Sequence, residues 1–145
     1  LNFLQRLSGV ATHAHAFVRA VAGTGVAILD TRKTTPGLRI LEKHAARVGG
    51  AENHRFGLYD ALLVKENHIR VAGGLKVAME KLRGRDDGLP LIVEVRTIEE
   101  AELAATLGAD QVLLDNFTPA QVTAVVKRLR ALRRYDSRPP PPLNS

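Results

Sequence analysis

Short apolar runs alternate with amphipathic segments along most of this sequence, and this alternation restricts the possible folds more than any other feature. The apolar runs lie at residues 26–29, 62–64, 91–93 and 112–114. Apolar side chains recur at helical spacing in residues 1–22, 38–48, 71–82, 98–107 and from 118 onward. Continuous apolar strands between amphipathic helices are typical of a parallel sheet that is covered on both faces. The sequence therefore predicts an α/β fold, in which a helix precedes about four strand–helix units.

The pattern alone does not choose between a doubly wound sheet and a (β/α) barrel, of which four units would fill only half. We predict that residues 1–134 form a single α/β domain. After that the pattern stops, and the prolines at 139–142 cannot continue a helix. We therefore expect residues 135–145 to form a disordered, proline-rich tail.

Composition excludes several classes of function. The chain has no cysteine, so disulfides and thiolate chemistry are excluded. No apolar run is long enough to cross a bilayer and no signal peptide is evident, so we expect a cytoplasmic protein without a membrane partner. The net charge is +6, but the basic excess is concentrated at residues 127–134. Cations at one helix end complement the helix dipole, and we expect no nucleic-acid partner.

Charged residues follow the carboxyl end of each predicted strand. Arg32 and Lys33 follow the first strand, Lys65 the second, Glu94 the third and Asp115 the fourth. Parallel strands place these ends at one edge, which is where such folds bind ligands. Cations beside carboxylates suit a polyanionic ligand that is held partly through a divalent metal. The alternative interpretation is a row of ion pairs along a solvated edge.

The histidines do not form a catalytic or metal-binding group in the sequence. His13 and His15 are two positions apart on a helix, so they face different directions. His44 falls within an amphipathic helix, where a structural role is expected. His54 lies beside Arg55 in a polar segment, and it is the histidine best suited to binding an anion.

The segment 31–37, Thr-Arg-Lys-Thr-Thr-Pro-Gly, strongly resembles the signature of the quinolinate phosphoribosyltransferases, also called carboxylating nicotinate-nucleotide pyrophosphorylases. The resemblance covers residues 1–134. It continues in order through segments 1–2, 7–12, 42–43, 48–50, 53–55, 64–68, 72–74, 93–95 and 113–117. It implies part of a (β/α) barrel from a pentosyltransferase, a class of glycosyltransferase. That enzyme joins quinolinate to phosphoribosyl pyrophosphate (PRPP), giving nicotinate mononucleotide, CO₂ and pyrophosphate in NAD biosynthesis, with Mg²⁺ required.

The resemblance also assigns roles to individual residues. It implies substrate-binding roles for Thr31, Arg32, Lys33, His54, Arg55, Lys65, Glu94 and Asp115. It implies catalytic roles for Lys65, Glu94 and Asp115. The cations would bind the two carboxylates of quinolinate and a nearby phosphate, while Glu94 and Asp115 would serve the ribose hydroxyls and the metal-bound pyrophosphate. Mg²⁺ would be held mainly by PRPP near these carboxylates, and no direct protein ligand is assigned.

The sequence also departs from the family. Family members are longer, with an N-terminal domain that supplies an arginine to the partner subunit's site, which implies a homodimer or a higher homo-oligomer. They also continue into a glycine-rich phosphate-binding segment where this sequence has residues 135–142. We therefore expect a fragment that is inactive alone. Two alternatives stay open: a related phosphoribosyltransferase with another acid as substrate, and a non-catalytic interaction module that uses residues 127–134.

Overall fold

The computed structural model describes residues 1–82 and 88–132. Its helices and strands, in chain order, are α1 (Asn2–Ala20), α2 (Arg39–Val48), β1 (Leu62–Val64), α3 (Glu66–Ala72), α4 (Leu75–Leu82), β2 (Leu91–Val95), α5 (Ile98–Thr106), β3 (Gln111–Leu114) and α6 (Pro119–Ala131). The described chain forms two compact units, unit 1 over Leu1–Leu58 and unit 2 from Tyr59 onward. The predicted tail and the last two residues of the basic segment 127–134 lie outside the described residues.

Unit 1 is built on the packing of α1 against the carboxyl end of α2. A Cβ atom at Gly49 would overlap the carbonyl oxygen of Ala11, so the two helices approach closely only because residue 49 is glycine. The Nδ1 atom of His15 lies 3.2 Å from the Gly49 carbonyl oxygen. His13 contacts the ring of Phe17 edge-on, with ring centroids 5.0 Å apart. The two α1 histidines therefore make separate contacts, His15 with the end of α2 and His13 within α1.

The prediction of a strand at residues 26–29 is wrong. This segment forms only an isolated parallel bridge between Leu29 and Glu52. The Glu52 amide donates to the Ile28 carbonyl at 2.8 Å, and the Asp30 amide donates to the Glu52 carbonyl at 2.9 Å. A strand requires a ladder of such bonds, and in the described part of the chain this pairing stops after two. In place of the four expected strands, the described residues therefore contain three strands and one isolated bridge.

Unit 2 contains a three-stranded parallel sheet in the order β1-β2-β3. Its buried core joins the sheet to helices α4, α5 and α6, through residues Val64, Leu75, Ala78, Met79, Val93, Val95, Ala101, Ala104, Ala105, Ala109, Val125 and Leu129. Helix α5 buries only alanines, whose small side chains allow the helix to lie close to the sheet. The predicted α/β architecture with parallel strands is confirmed.

The helix predicted at residues 71–82 is also different in the structure. A short helix, α3, begins at Glu66, with only Lys65 between it and β1, and a second helix starts at Leu75. Gly73 and Gly74 separate the two, with φ angles of 90° and 133°. Glycine adopts positive φ angles without the steric penalty of a Cβ atom, so the pair ends one helix and starts the next.

Threonine side chains cap the amino ends of α5 and α6, and of these two only α6 has the reciprocal bond of a capping box. At the start of α6 the Gln121 amide donates to Thr118 Oγ1 at 3.4 Å, and Gln121 Oε1 accepts from the Thr118 amide at 2.8 Å. At α5 the Glu100 amide donates to Thr97 Oγ1, but the Glu100 carboxylate accepts from the Arg96 amide instead of the Thr97 amide. None of the helices in the described ranges is long and apolar enough to span a membrane.

Candidate functional site

Unit 2 brings three of the predicted site residues to one edge of its sheet. Val64 pairs with Val93, so the next residues, Lys65 just after β1 and Glu94 within β2, lie side by side. Their Nζ and Oε2 atoms lie 3.8 Å apart. The predicted third strand, β2, ends at Val95 and not before Glu94. Asp115 follows β3 at the same edge, and its amide donates to the Val95 carbonyl at 2.9 Å. The alternation of strands and helices predicted this arrangement, while the chemical roles of these residues stay predictions.

Arg96 is a member of this group that the sequence interpretation missed. Its guanidinium lies between two carboxylates, with Nη1 2.6 Å from Glu66 Oε2 and Nε 3.3 Å from Asp115 Oδ2. It therefore ties together the chain segments that follow β1, β2 and β3. A signal was present in the sequence, because Arg96 is two positions after Glu94 and alternate residues of a strand share a face.

The carboxylate of Asp115 is held through only one of its oxygens in these contacts. Arg96 Nε and Asn116 Nδ2 both lie near Oδ2, at 3.3 Å and 3.2 Å. Asn116 has a φ angle of 59°, a left-handed conformation that asparagine tolerates better than most residues. Oδ1 takes part in neither of these contacts.

A small cavity of about 40 Å³ lies beside these residues, lined by Glu66, Ile69, Glu94, Arg96 and Glu100. It has room for a water molecule or a small cation, but not for a sugar phosphate. A larger ligand would have to lie along the open edge of the sheet. Within the described ranges, no three histidine or acidic side chains are grouped closely enough to hold a metal ion.

Unit 1 contains the other predicted site residues, beginning with the loop after Asp30. The hydroxyl of Thr31 accepts a hydrogen bond from the Lys33 amide at 3.1 Å, which shapes the turn. Lys33 is exposed, while Arg32 is half-buried. Arg32 Nε is fully buried, with no hydrogen-bond partner in the described part of the chain. An unpaired buried donor is costly.

His54 and Arg55 follow the bridge at Glu52. Arg55 is buried, at 7% exposure, and the backbone amide of His54 donates to Asp30 Oδ1 at 2.8 Å. Burial lowers the pKa of His54, and the charges of Arg55 and Lys43 lower it further, while Asp30 opposes them. His54 therefore favours the neutral imidazole near pH 7. The positive charge of unit 1's predicted binding residues comes from Arg32, Lys33 and Arg55.

Two buried carboxylates, neither of which the sequence interpretation assigned, hold this loop. Asp30 accepts from Lys43 Nζ and, at 2.6 Å, from Asn53 Nδ2. Glu42 accepts from the amide and the hydroxyl of Thr35, at 3.0 Å and 2.7 Å. Glu42 and Lys43 belong to the block at 42–43 that resembles the family, and this was the available signal.

The structure thus sorts the predicted site residues into two groups. Thr31, Arg32, Lys33, His54 and Arg55 belong to unit 1, and Lys65, Glu94 and Asp115 belong to unit 2. The first group is mainly cationic and suits carboxylates, for which the planar guanidinium of arginine is well shaped. The second group pairs a cation with two carboxylates and suits a ligand with hydroxyls and a metal-bound phosphate.

The chain is similar to known proteins over most of its length. The family model described as quinolinate phosphoribosyl transferase, C-terminal domain, matches residues 10–136. The chain is 46% identical over 128 residues to the probable nicotinate-nucleotide pyrophosphorylase (carboxylating) of Bacillus subtilis, covering 88% of this chain and 44% of that protein. It is 44% identical over 134 residues to the human nicotinate-nucleotide pyrophosphorylase (carboxylating), covering 90% of this chain and 45% of that protein.

Solved structures give the same result. The crystal structure of nicotinate-nucleotide pyrophosphorylase from Ehrlichia chaffeensis superposes with a TM-score of 0.85 at 38% identity, covering 90% of this chain and 47% of that one. The enzyme from Francisella tularensis superposes with a TM-score of 0.81 at 43% identity, covering 86% and 45%. The chain therefore spans about half the length of the relatives it matches.

Proposed function

The chain belongs to the quinolinate phosphoribosyltransferase family, matching its C-terminal domain, and from this premise we propose that it carries binding groups for quinolinate and PRPP. The complete protein would transfer the phosphoribosyl group of PRPP to quinolinate with decarboxylation. The products would be nicotinate mononucleotide, CO₂ and pyrophosphate, within NAD biosynthesis. The proposal rests on two chemically different groups of side chains, one in each unit.

In unit 1, Arg32, Lys33 and Arg55 would bind the carboxylates of quinolinate. Two neighbouring carboxylates on a pyridine ring require several positive donors, and charge-assisted hydrogen bonds are the strongest available. The concentration of positive charge is the single observation that carries this assignment, since Arg32, Lys33 and Arg55 belong to one unit and the charge of Arg55 helps to lower the pKa of His54. Neutral His54 would contribute a hydrogen bond and not a charge.

In unit 2, Glu94 and Asp115 would serve the phosphoribosyl donor. Loss of pyrophosphate leaves positive, oxocarbenium-like character on the ribose, which nearby carboxylates stabilise electrostatically. Asp115 Oδ1, which neither Arg96 nor Asn116 contacts, would accept from a ribose hydroxyl. Lys65, 3.8 Å from Glu94, would balance the charge of this carboxylate and contact a phosphate or a developing negative charge.

Mg²⁺ would arrive with PRPP, with phosphate oxygens as its main ligands. It retains several waters and commonly uses one or two protein carboxylates beside substrate phosphates. Glu94 and Asp115 provide such carboxylates at the edge of the sheet. The chemistry that the ion supplies is neutralisation of the departing pyrophosphate.

We also propose that the complete enzyme is a homodimer or a higher homo-oligomer. Several large apolar side chains are exposed in the described residues, including Phe3 at 62%, Leu4 at 67% and Ile40 at 70%. Apolar groups that remain exposed to water favour association with a partner surface.

A ligand panel tests the proposed substrate. The chain is titrated by calorimetry with quinolinate, with nicotinate, which lacks the 2-carboxylate, and with pyridine-3,5-dicarboxylate, whose carboxylates are not adjacent. We expect quinolinate to bind at least about tenfold more tightly than either, since each lost charge-assisted bond costs that much or more. Arg32→Gln should remove the preference, and Arg128→Gln, which changes an exposed ion pair with Glu102, should retain it.

Equal binding of all three acids, or an unchanged preference in Arg32→Gln, would contradict the assignment. A clear preference for another acid would favour a related phosphoribosyltransferase of different specificity. A separate titration with Mg²⁺ and PRPP, comparing wild type with Asp115→Asn, tests the second group. We expect weaker binding by the variant.

A further inference from the structure

One face of α2 contacts the loop at residues 30–35 through three consecutive positions of the helical repeat. Arg39, Glu42 and Lys43 are spaced i, i+3 and i+4, so their side chains lie on the same face. The loop carries Arg32 and Lys33. None of the three helix residues was assigned a role by the proposed function.

Glu42 holds the end of this loop. Its Oε2 accepts the Thr35 amide at 3.0 Å, and its Oε1 accepts the Thr35 hydroxyl at 2.7 Å. Arg6, from α1, donates to the same Oε1 at 2.9 Å and to Thr35 Oγ1 at 2.8 Å. The hydrogen bonds from Thr35 lower the pKa of Glu42, which keeps the carboxylate charged.

Lys43 holds the beginning of the loop through Asp30. Both side chains are almost fully buried, at 5% and 8% exposure. Asp30 also accepts the His54 amide at 2.8 Å and Asn53 Nδ2 at 2.6 Å. One carboxylate therefore joins the segment before Arg32 to the segment that carries His54.

Arg39 holds the middle of the loop. Its Nε donates to Thr34 Oγ1 at 3.3 Å and its Nη2 to the Arg32 carbonyl at 3.4 Å. Its Nη1 donates to the Phe56 carbonyl at 3.3 Å. The same guanidinium thus connects the Arg32 segment with the segment that follows Arg55.

Stability alone does not explain this arrangement. A buried ion pair loses hydration that its own attraction seldom repays, and well-packed apolar residues often serve stability as well or better. Here Arg39, Glu42 and Lys43 each make at least one hydrogen bond to the backbone or a short side chain of the loop at residues 30–35. Their common effect is to fix the loop's position.

We infer that Arg39, Glu42 and Lys43 are positioning residues. They hold Arg32, Lys33 and His54 where these residues can bind a ligand, and they do not contact the ligand themselves. The inference rests on the proposed function for the identity of the ligand. The positioning of the loop itself is independent of that function, and the two can be tested separately.

The test uses the chain and its Glu42→Gln variant, with Arg47→Gln as a matched control because Arg47 is an exposed residue of the same helix. Hydrogen exchange of backbone amides is followed by NMR, and quinolinate affinity is measured by calorimetry. In Glu42→Gln we expect exchange at Thr35 to accelerate at least about tenfold, while amides within α2 keep their rates. The dissociation constant for quinolinate should rise about tenfold or more. Arg47→Gln should change neither.

An unchanged quinolinate affinity in Glu42→Gln would overturn the inference, and so would exchange that accelerates equally throughout unit 1. If the wild-type chain does not bind quinolinate, the proposed function fails and the exchange pattern decides alone: local acceleration supports positioning and uniform acceleration overturns it. Should Glu42→Gln not fold, Thr35→Val removes the hydroxyl from the same contact while every charge stays in place. The outcomes that support or overturn the inference for Glu42→Gln then apply to Thr35→Val.

Discussion

Replacing Lys43 with methionine should destabilise unit 1 by about 3 kcal/mol. The change leaves Asp30 as a charged carboxylate that is only 8% exposed. Removing one partner of a buried ion pair costs roughly 3–5 kcal/mol, because the remaining charge has lost its counterion. Asp30 retains hydrogen bonds from Asn53 and from the His54 amide, which places the expected cost at the lower end of this range.

An exposed ion pair provides the matched comparison. Arg128 lies 3.3 Å from Glu102, and the two side chains are 51% and 35% exposed. Exposed pairs contribute roughly 0–1 kcal/mol, so Arg128→Met should have little effect. The same type of replacement, of a long cationic side chain by methionine, then separates the effect of burial from the effect of charge removal.

Urea denaturation followed by NMR measures both variants. Two compact units can unfold separately, so the His54 amide is used to report on unit 1 and the Val93 amide on unit 2. The double variant Asp30→Asn/Lys43→Met should recover part of the lost stability, since no unpaired charge remains buried. A loss below about 1 kcal/mol at His54 in Lys43→Met would refute the cost assigned to this pair.

Three further predictions follow from contacts in unit 1. The stability of unit 1 should fall as pH drops below about 4.5, because Thr35 holds the pKa of folded Glu42 below its ordinary value of 4.5 and the unfolded chain therefore takes up the proton first. Acid titration of wild type and Glu42→Gln checks this, and the variant should lose that part of the pH dependence. The imidazole of His54 should titrate below pH 6.5. Its pKa should rise in Arg55→Gln, because one of the charges that lowers it is removed, and NMR titration of the wild type and the variant measures the two pKa values. Gly49→Ala should lower the melting temperature through overlap with the Ala11 carbonyl, at a cost of about 1–3 kcal/mol. Gly9→Ala, where a Cβ atom meets nothing within 4 Å, should instead raise it, since alanine favours the helix by about 0.5–1 kcal/mol.

The sequence predicted the sheet of unit 2 well because its strands are continuous apolar runs that alternate with amphipathic segments. It failed at residues 26–29, whose apolar run looks the same. The difference lies in the segment with which each run pairs. Residues 26–29 pair with Glu52 through a single bridge and not through a ladder of hydrogen bonds. It also missed α3, because seven residues are too few to show helical periodicity and the helix directly follows Lys65. Strand and helix content depends on neighbours that a local pattern does not contain.

The candidate site was predictable to the extent that strand ends determine it. Lys65, Glu94 and Asp115 were found because parallel strands place their carboxyl ends at one edge. Arg96 and Asp30 were not, because their importance lies in contacts with residues distant in sequence, Glu66 and Asp115 for the first and Lys43 and Asn53 for the second. Their burial and pairing appear only in three dimensions.

In each unit, a carboxylate at or beside the site is already paired with a cationic side chain, Asp30 with Lys43 in unit 1 and Asp115 with Arg96 in unit 2. These ion pairs affect how readily a charged ligand can bind. In unit 1 the carboxylate of Asp30 is already neutralised by Lys43, so the positive charge of Arg32 is not needed to neutralise it. In unit 2 the opposite holds, because Arg96 already occupies one oxygen of Asp115. A cation that approaches Asp115 must use the other oxygen or displace the guanidinium, and it competes with a charge that cannot be removed by deprotonation. Anion binding in unit 1 should therefore be opposed mainly by ionic screening, whereas cation binding in unit 2 should be opposed by Arg96 itself.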